Sequence, residues 1–227
     1  METTNKNDFV EIKFTGYYDG KVFDSNIPED LKKLSPEAKP EKTIVIIGQG
    51  MVVSGLDKAL EGKEIEKEYK IHVPYKEGFG ERKRELVKTI PLNVFTKQNI
   101  NPYPGATLLL DNMLVRIITI SGARVITDFN NPLAGKDLDY KFKIIRKLQD
   151  DKEKCKAFFK FFFKIIPKFN IQDNKVIIEG PKPIEGIVNF YKDKFKEVMG
   201  KELEFKLEEK EEKIKKEEKE TQKQATQ

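Results

Sequence analysis

Residues Gly16–Ser25 read Gly-Tyr-Tyr-Asp-Gly-Lys-Val-Phe-Asp-Ser, and this stretch decides how the first part of the chain folds. The dipeptide Asp19-Gly20 accepts positive φ angles, which a two-residue hairpin turn requires. Before it, residues 9–18 alternate charged and apolar side chains as a half-buried strand does. After it, the carboxylate of Asp24 follows the large ring of Phe23. An ionised group beside buried apolar surface needs a donor or contact with water, so this pair marks a candidate site.

A second motif follows the strand predicted over Thr43–Ile47, where Gly48–Leu56 reads Gly-Gln-Gly-Met-Val-Val-Ser-Gly-Leu. Its glycines predict a turn, because Val53 stands where a dinucleotide-binding loop needs a small residue and no βαβ unit follows. Together and in this order, the two motifs resemble the FKBP-type peptidyl-prolyl cis-trans isomerases. The resemblance implies an α+β fold with an antiparallel twisted sheet wrapped on a short helix. We expect Ser54 to cap that helix.

Composition narrows the class of protein. The 227 residues are 38% hydrophobic and 36% charged, with a net charge of +5. The positive charge forms no basic stripe, so we expect no nucleic-acid partner. No apolar run reaches the length of a membrane span and no secretion signal stands at the N-terminus, so we expect a soluble, cytoplasmic protein without a membrane partner. The single cysteine, Cys155, excludes an internal disulfide and predicts a small core residue.

The middle of the chain predicts an inserted domain. The loop 74–80 and the segment Leu133–Tyr140 both resemble FKBP elements, but the 52 residues between Gly80 and Leu133 are too many for a structureless loop. The SlyD-like branch of the family carries a small insert-in-flap domain at this position. The resemblance therefore divides the FKBP catalytic domain into residues 1–85 and 128–149, with the insert at 86–127.

The insert is predicted to be mainly β. Residues 90–95 read as a turn followed by the start of a helix. Strands are predicted over 108–110, 114–120 and 125–127, with turns at Asp111-Asn112 and Ser121-Gly122.

Residues 150–207 predict a small α+β domain, comparable to the C-terminal extension of long archaeal SlyD-like members. A helix from Asp150-Asp151 to Pro167 is followed by a hairpin at Asp173-Asn174, a helix over Ile184–Met199 and a closing strand at 203–207. Residues 208–227 form a charged tail. The first helix has a stripe predicted to be buried, and its apolar surface is wider than one packed face needs. We expect exposed residues of Phe158–Ile166 to support a homodimer.

The resemblance also implies a site: an apolar cup that holds proline while the preceding bond rotates. Its residues would be Phe14, Phe23, Asp24, Val52, Val53, Leu56, Phe79, Leu138 and Tyr140. A twisted amide is less polar than a planar one, so an apolar cup favours it. The reaction needs no cofactor and no metal. Read without the family resemblance, most of these residues could be the core of a β-domain, and Asp24 a turn residue or ion-pair partner.

Three departures from the family pattern bear on activity. Phe79 replaces the flap tyrosine, which implies weaker macrolide binding and reduced turnover. Leu56 replaces a tryptophan at the floor, and Asn131 replaces a histidine with unclear effect. The tail lacks the histidines and cysteines of bacterial SlyD, so nickel binding is not implied.

Two functions remain open. The first is a prolyl isomerase and folding chaperone acting on unfolded or nascent polypeptides that contain X-Pro. The second is a non-catalytic holdase or assembly chaperone that uses the FKBP fold as a binding module. Retention of the pair Phe23-Asp24 favours the first, and Phe79 favours the second. His72, the only histidine, is predicted to be a surface strand residue.

Overall fold

The computed structural model describes residues 2–110 and 113–208. No helix within these ranges is both long and apolar enough to span a membrane. The helices are α1 (Pro28–Leu34), α2 (Ser54–Leu60), α3 (Leu92–Thr96), α4 (Asp151–Phe162) and α5 (Lys182–Met199). The strands are β1 (Phe9–Tyr18), β2 (Lys21–Ser25), β3 (Thr43–Ile46), β4 (Glu68–Val73), β5 (Val87–Pro91), β6 (Thr107–Leu110), β7 (Met113–Ser121), β8 (Arg124–Asp128), β9 (Leu138–Lys147), β10 (Lys168–Gln172), β11 (Lys175–Gly180) and β12 (Glu202–Leu207).

The body of the molecule is a five-stranded antiparallel sheet in the order β2-β1-β9-β4, with β3 pairing the first half of β1. The predicted hairpin is confirmed: Tyr18 pairs with Lys21, and both Asp19 and Gly20 have positive φ. Helix α2 packs Leu56 and Leu60 into the core on one face of this sheet. The α+β fold class is confirmed.

Two local predictions in the body were wrong. Helix α1 lies where only strands and loops were expected; it has no buried residue, so it carries no apolar periodicity that a sequence pattern could show. Ser54 is the first helical residue of α2, not its cap. The carbonyl of Val53 already accepts the N–H of Asp57, which closes the first turn one residue earlier than predicted.

The insert is a four-stranded antiparallel sheet in the order β5-β8-β7-β6, with α3 beside it. The three predicted strands are confirmed within one or two residues, but β5 over Val87–Pro91 was missed. Its pattern of half-buried and exposed residues gives only a weak strand signal. All six fully buried core residues of this sheet belong to the insert itself: Phe95, Ala106, Leu110, Val115, Ile117 and Val125. The predicted turn at Asp111-Asn112 lies outside the described residues.

The C-terminal domain is a three-stranded sheet, β10-β11-β12, covered by α4 and α5. The predicted hairpin, second helix and closing strand are confirmed, and β12 runs parallel to β11. Asp150 caps α4 by accepting the N–H of Glu153, 2.9 Å away. Gly200, in the left-handed conformation, ends α5. Residues 209–227 of the predicted charged tail lie outside the described residues.

The prediction for the phenylalanine-rich helix was partly wrong. Helix α4 ends at Phe162 rather than at Pro167, because the chain reverses at Lys164, which has a φ of 61°. As a result Phe163 turns into the core, while Ile165 and Ile166 are exposed. Phe158 and Phe159 are completely buried against α5, so the helical part of the stripe is not an exposed surface.

Candidate active site

A cavity of about 530 Å³ opens at the end of the body sheet, between β1, β2, the segment before α2 and the flap loop after β4. Its apolar lining consists of Phe14, Leu31, Met51, Val52, Val53, Leu56, Phe79 and Tyr140. Its polar lining consists of Asp24, Ser25, Asn26, Lys39, Glu41 and Thr43. The cavity is thus an apolar cup with a polar and charged rim.

Phe14, Phe79 and Tyr140 line one wall of the cup, and the ring of Phe23 packs against two of them. The ring of Phe23 meets Tyr140 edge-on at 5.7 Å between centroids and Phe79 edge-on at 6.2 Å. Phe14 lies 6.4 Å from Tyr140. Edge-to-face contacts of this kind fix ring orientation as well as adding burial. The wall is therefore a set of mutually braced rings from β1, β2, the flap loop and β9.

Gly16 makes this wall possible. It lies on β1 opposite Tyr140 of β9 and Asp24 of β2. A Cβ atom built at this position would lie 2.6 Å from Cζ of Phe23 and 3.0 Å from Cε1 of Tyr140. The absent side chain leaves the space that the two rings occupy.

The aliphatic side of the cup is held by a buried carboxylate. Asp57 accepts the N–H groups of Gly48 and Gly50, each at 2.9 Å, and so fixes the turn that leads to Val52 and Val53. Both glycines have positive φ, which this tight turn requires. Leu56, from the same helix as Asp57, is almost completely buried at the floor.

The segment after β2 is held against β1 by Asn26. Its side-chain oxygen accepts the N–H of Phe14 and its amide donates to the carbonyl of Ile12, both at 2.8 Å. The side chain thereby replaces a strand where β2 ends. This fixes the backbone next to Asp24 and Phe14 at the mouth of the cup.

The electrostatics of the cup concern two groups. Burial raises the pKa of Asp24 above its ordinary value, and a hydrogen bond from the N–H of Ser25 opposes this. Burial, followed by the negative charge of Asp24, raises the pKa of Tyr140. The phenol therefore stays protonated at neutral pH. Asp24 thus brings a carboxylate to the rim of the cup, and Tyr140 brings a protonated phenol to its wall.

Of the nine predicted site residues, seven line the cavity: Phe14, Asp24, Val52, Val53, Leu56, Phe79 and Tyr140. Phe23 and Leu138 do not. The ring of Phe23 packs against two of the lining residues, Tyr140 and Phe79. Leu138 is completely buried in the core beneath Gly78 of the flap loop. It supports the site from behind.

Sequence reasoning missed Met51, Leu31 and Asn26. Met51 adjoins the predicted valine pair and could have been included by position alone. Leu31 belongs to the unpredicted α1. Asn26 follows a strand directly, where a side chain that mimics backbone hydrogen bonding is common, so it carried a usable signal. Within residues 2–110 and 113–208, no group of three His, Cys, Asp or Glu side chains could hold a metal ion.

Comparison with known proteins adds to this geometry. The family model described as "FKBP26, IF domain" matches residues 88–133. The short-type peptidyl-prolyl cis-trans isomerase of Methanocaldococcus jannaschii is 32% identical over 142 residues, which are 61% of this chain and 90% of that protein. This chain belongs to the FKBP-type peptidyl-prolyl cis-trans isomerases. The SlyD-like assignment is supported by SlyD of Haemophilus influenzae, which is 33% identical over 103 residues, or 43% of this chain.

The match to this SlyD spans 53% of its length, and the match to SlyD of Yersinia pestis is 30% identical and spans 52%. The chain thus spans about half the length of these SlyD relatives. Its activity as an FKBP-type prolyl isomerase follows from the family.

Proposed function

We propose that this isomerase acts on X-Pro bonds of unfolded or nascent polypeptides by holding proline in the apolar cup, and that it is also a folding chaperone. One observation carries the proposal. Phe14 of β1, Tyr140 of β9 and Phe79 of the flap loop surround an open cavity together with Val52, Val53 and Leu56, and Phe23 packs against Tyr140 and Phe79. A cavity of about 530 Å³ accommodates a prolyl ring with its neighbouring residues.

The cup would lower the barrier by differential solvation. Rotation about the peptide bond that precedes proline has a barrier of about 18–20 kcal/mol, because amide resonance is lost. The twisted amide has less charge separation than the planar one, so apolar walls disfavour it less than they disfavour the ground state. The cup supplies such walls on the aromatic side and on the valine side. No covalent step is needed.

Two polar groups would orient the substrate. We assign the N–H of Val53, at the start of α2, as the donor to a substrate carbonyl. Asp24 would act on the rotating carbonyl from the rim as a fixed negative charge. Phe79 offers no hydroxyl to the peptide, so we expect lower turnover than with a tyrosine there.

The experiment compares two aspartates five residues apart. In a protease-free assay of a short X-Pro peptide, Asp24→Asn should lower kcat/KM about fivefold to tenfold, since roughly 1 kcal/mol of transition-state stabilisation is lost. Asp19→Asn is the matched control: it removes the same charge from the hairpin turn, where asparagine accepts the positive φ.

The pH profile adds a second readout. Because burial raises the pKa of Asp24, kcat/KM of the wild type should fall with acidification at a higher pH than an ordinary aspartate would give. The Asp24→Asn profile should be flat through that range. Equal and measurable kcat/KM for wild type, Asp24→Asn and Phe23→Ala would show that the cup is not the catalytic site. Absence of turnover in all three would favour the non-catalytic holdase, the alternative that only Phe79 supports.

The chaperone part of the proposal rests on the insert. On its sheet, Leu109 is 62% exposed and lies directly opposite Leu114, which is 54% exposed. Met113 and Ile118 on the same strand pair are also exposed, as is Tyr103 nearby. A cluster of large apolar side chains on a small domain is a surface for transient binding of unfolded chains.

Self-association through the C-terminal domain remains a proposal, with a different surface from the one expected. Phe190 on α5 is 78% exposed and packs only edge-on against its neighbour Tyr191 among the ring contacts of the described residues. We propose that a homodimer, if formed by this domain, buries Phe190.

A further inference from the structure

A second cavity continues the cup towards the C-terminal domain. It has a volume of about 440 Å³ and lies between β3 and α4. Glu41, Thr43 and Met51 line both this cavity and the cup. An extended chain leaving the cup on this side would therefore enter the second cavity, which we call the lysine groove.

Both walls of the lysine groove belong to one packed unit. Phe9 and Ile46 of the body share a continuous core with Phe158 and Phe159 of α4. Arg146 of β9 bridges the two parts: its Nε lies 2.9 Å from Glu11 and its Nη2 lies 2.6 Å from Glu153. The groove is therefore built into the fold and keeps a fixed relation to the cup.

The floor of the lysine groove is apolar. One face of α4 and the residues after it supplies Ala157, Phe161 and Ile166, and β3 supplies Ile44. Ile166 is 53% exposed, whereas Phe158 and Phe159 of the adjacent helix α4 are buried in the core. An apolar side chain of a bound polypeptide would be covered on this floor.

The rim of the lysine groove is positive. Lys42, Lys156, Lys160 and Lys164 line it, against only two carboxylates, Glu41 and Glu153. Glu153 accepts two hydrogen bonds from Arg146, and because the guanidinium offsets the negative charge of this carboxylate, Glu153 adds little negative potential to the rim. Glu41 and Lys160 are 3.8 Å apart and both mostly exposed. Within residues 2–110 and 113–208, Lys42, Lys156 and Lys164 have no carboxylate within 4.0 Å.

We propose that the lysine groove binds the flanking segment of the same polypeptide whose proline occupies the cup, and that it selects segments combining apolar and acidic residues. The inference rests on the proposed function of the cup. The occupant follows from two features: the groove shares lining residues with the cup, and three of its rim lysines, over an apolar floor, have no ion-pair partner within 4.0 Å among the described residues. Of these, Lys164 lies over the ring of Phe161, with its Nζ 4.7 Å from the ring centroid. Acidic groups on the bound chain would pair with those lysines.

The experiment uses the full-length protein and three peptides. The first is a short X-Pro tetrapeptide. The other two carry the same tetrapeptide with ten-residue extensions on both sides, which each reach about 33 Å when extended. In one peptide the extensions contain leucine and aspartate; in the other, serine and asparagine take their places. KM and kcat are measured by exchange NMR for each.

We expect KM to be about fivefold lower for the leucine–aspartate peptide than for the serine–asparagine peptide, with kcat unchanged, since a few exposed ion pairs and one covered apolar side chain are gained. The preference should shrink at 0.5 M salt, because exposed charges are screened. Lys156→Gln/Lys164→Gln should reduce the preference by at least half and leave turnover of the tetrapeptide unchanged, because two of the four rim lysines are lost while the apolar floor remains. Lys152→Gln/Lys192→Gln, which removes two exposed lysines outside the groove, should keep the preference.

Equal KM values for the two extended peptides, with normal turnover of the tetrapeptide, would overturn the groove and leave the cup intact. A preference that keeps its full size in Lys156→Gln/Lys164→Gln would also overturn the proposed groove. If the wild-type protein did not turn over the tetrapeptide, the proposed function of the cup would be contradicted, and the proposal for the groove, which depends on it, would fail as well. A synthetic peptide of residues 209–227 that competes with the leucine–aspartate peptide would identify the chain's own tail as the occupant, against the proposal.

Discussion

Gly16→Ala tests the aromatic wall directly, because the new methyl group would meet two of its rings. A Cβ at this position lies 2.6 Å from Phe23 and 3.0 Å from Tyr140, whereas ordinary contacts begin at 3.4 Å. Phe23 must therefore move by about 0.8 Å and Tyr140 by about 0.4 Å. Overpacking of this kind costs roughly 1–3 kcal/mol of folding stability.

The catalytic effect should exceed what the loss of stability explains. Phe23 is braced edge-on by Tyr140 and by Phe79, so a shift of one ring disturbs the wall that faces proline. A misplacement near 1 Å costs up to about 100-fold in rate, and we expect roughly a tenfold loss of kcat/KM for a short X-Pro peptide at a temperature where the variant is fully folded.

Two further variants separate packing from catalysis. Gly186→Ala is the matched control, since a Cβ there has no atom within 4 Å and lies in helix α5, where it should add up to about 1 kcal/mol of stability. Gly16→Ala combined with Phe23→Leu should regain stability in urea denaturation without regaining activity. If Gly16→Ala lost stability but kept wild-type kcat/KM, the aromatic wall would not contact the substrate, and the reasoning would be refuted.

Three other predictions concern the parts around the cup. Asp57→Ala should lower the free energy of unfolding by about 2–4 kcal/mol and raise KM, because two backbone N–H groups lose their acceptor; urea denaturation and peptide kinetics measure both, and an unchanged stability would contradict it. Replacing residues 88–127 by Asn-Gly, which suits a hairpin between the paired strand ends, should preserve turnover of a short peptide but slow refolding of a proline-limited protein; equal refolding rates would remove the role of the insert. If the full chain is a dimer by light scattering, Phe190→Ser should make it a monomer, and a dimer that survives would place the interface elsewhere.

Local signals made much of the fold predictable. The turn at Asp19-Gly20 and the end of α5 at Gly200 each depend on a residue that accepts positive φ, and both were located from the sequence. The alternating pattern of β1 gave its bounds without error. Site residues could also be located from the sequence where one motif contains neighbouring ones, as with Phe23 and Asp24.

Features that depend on tertiary contacts could not be predicted. The end of α4 was placed at Pro167, but Phe163 gains more from packing against Phe159 and Tyr191 than from continuing the helix. The depth of Leu138 was misjudged because a strand pattern shows which side chains face inward but not which of them line a cavity. The lysine groove was not visible at all, since its walls come from β3 and α4, which are more than 100 residues apart.

The two additions to the body are attached in different ways, and this determines how each can act on a polypeptide. The insert has its own core, and polar contacts tie its base to the body side of the connection, such as the pair Arg82–Asp128 and the hydrogen bonds between Asn130 and Lys83. The C-terminal domain shares a hydrophobic core with the body, and Met51 packs against both that core and the core of the cup.

Polar contacts at a narrow base permit reorientation at a lower cost than disruption of a common core. If both proposals hold, the exposed apolar surface of the insert would capture chains in many orientations, whereas the lysine groove would hold a chain in a fixed register with the cup. A chain captured by the insert would still need the groove to present its proline productively, so loss of the groove lysines should raise KM for extended acidic substrates even when the insert is intact.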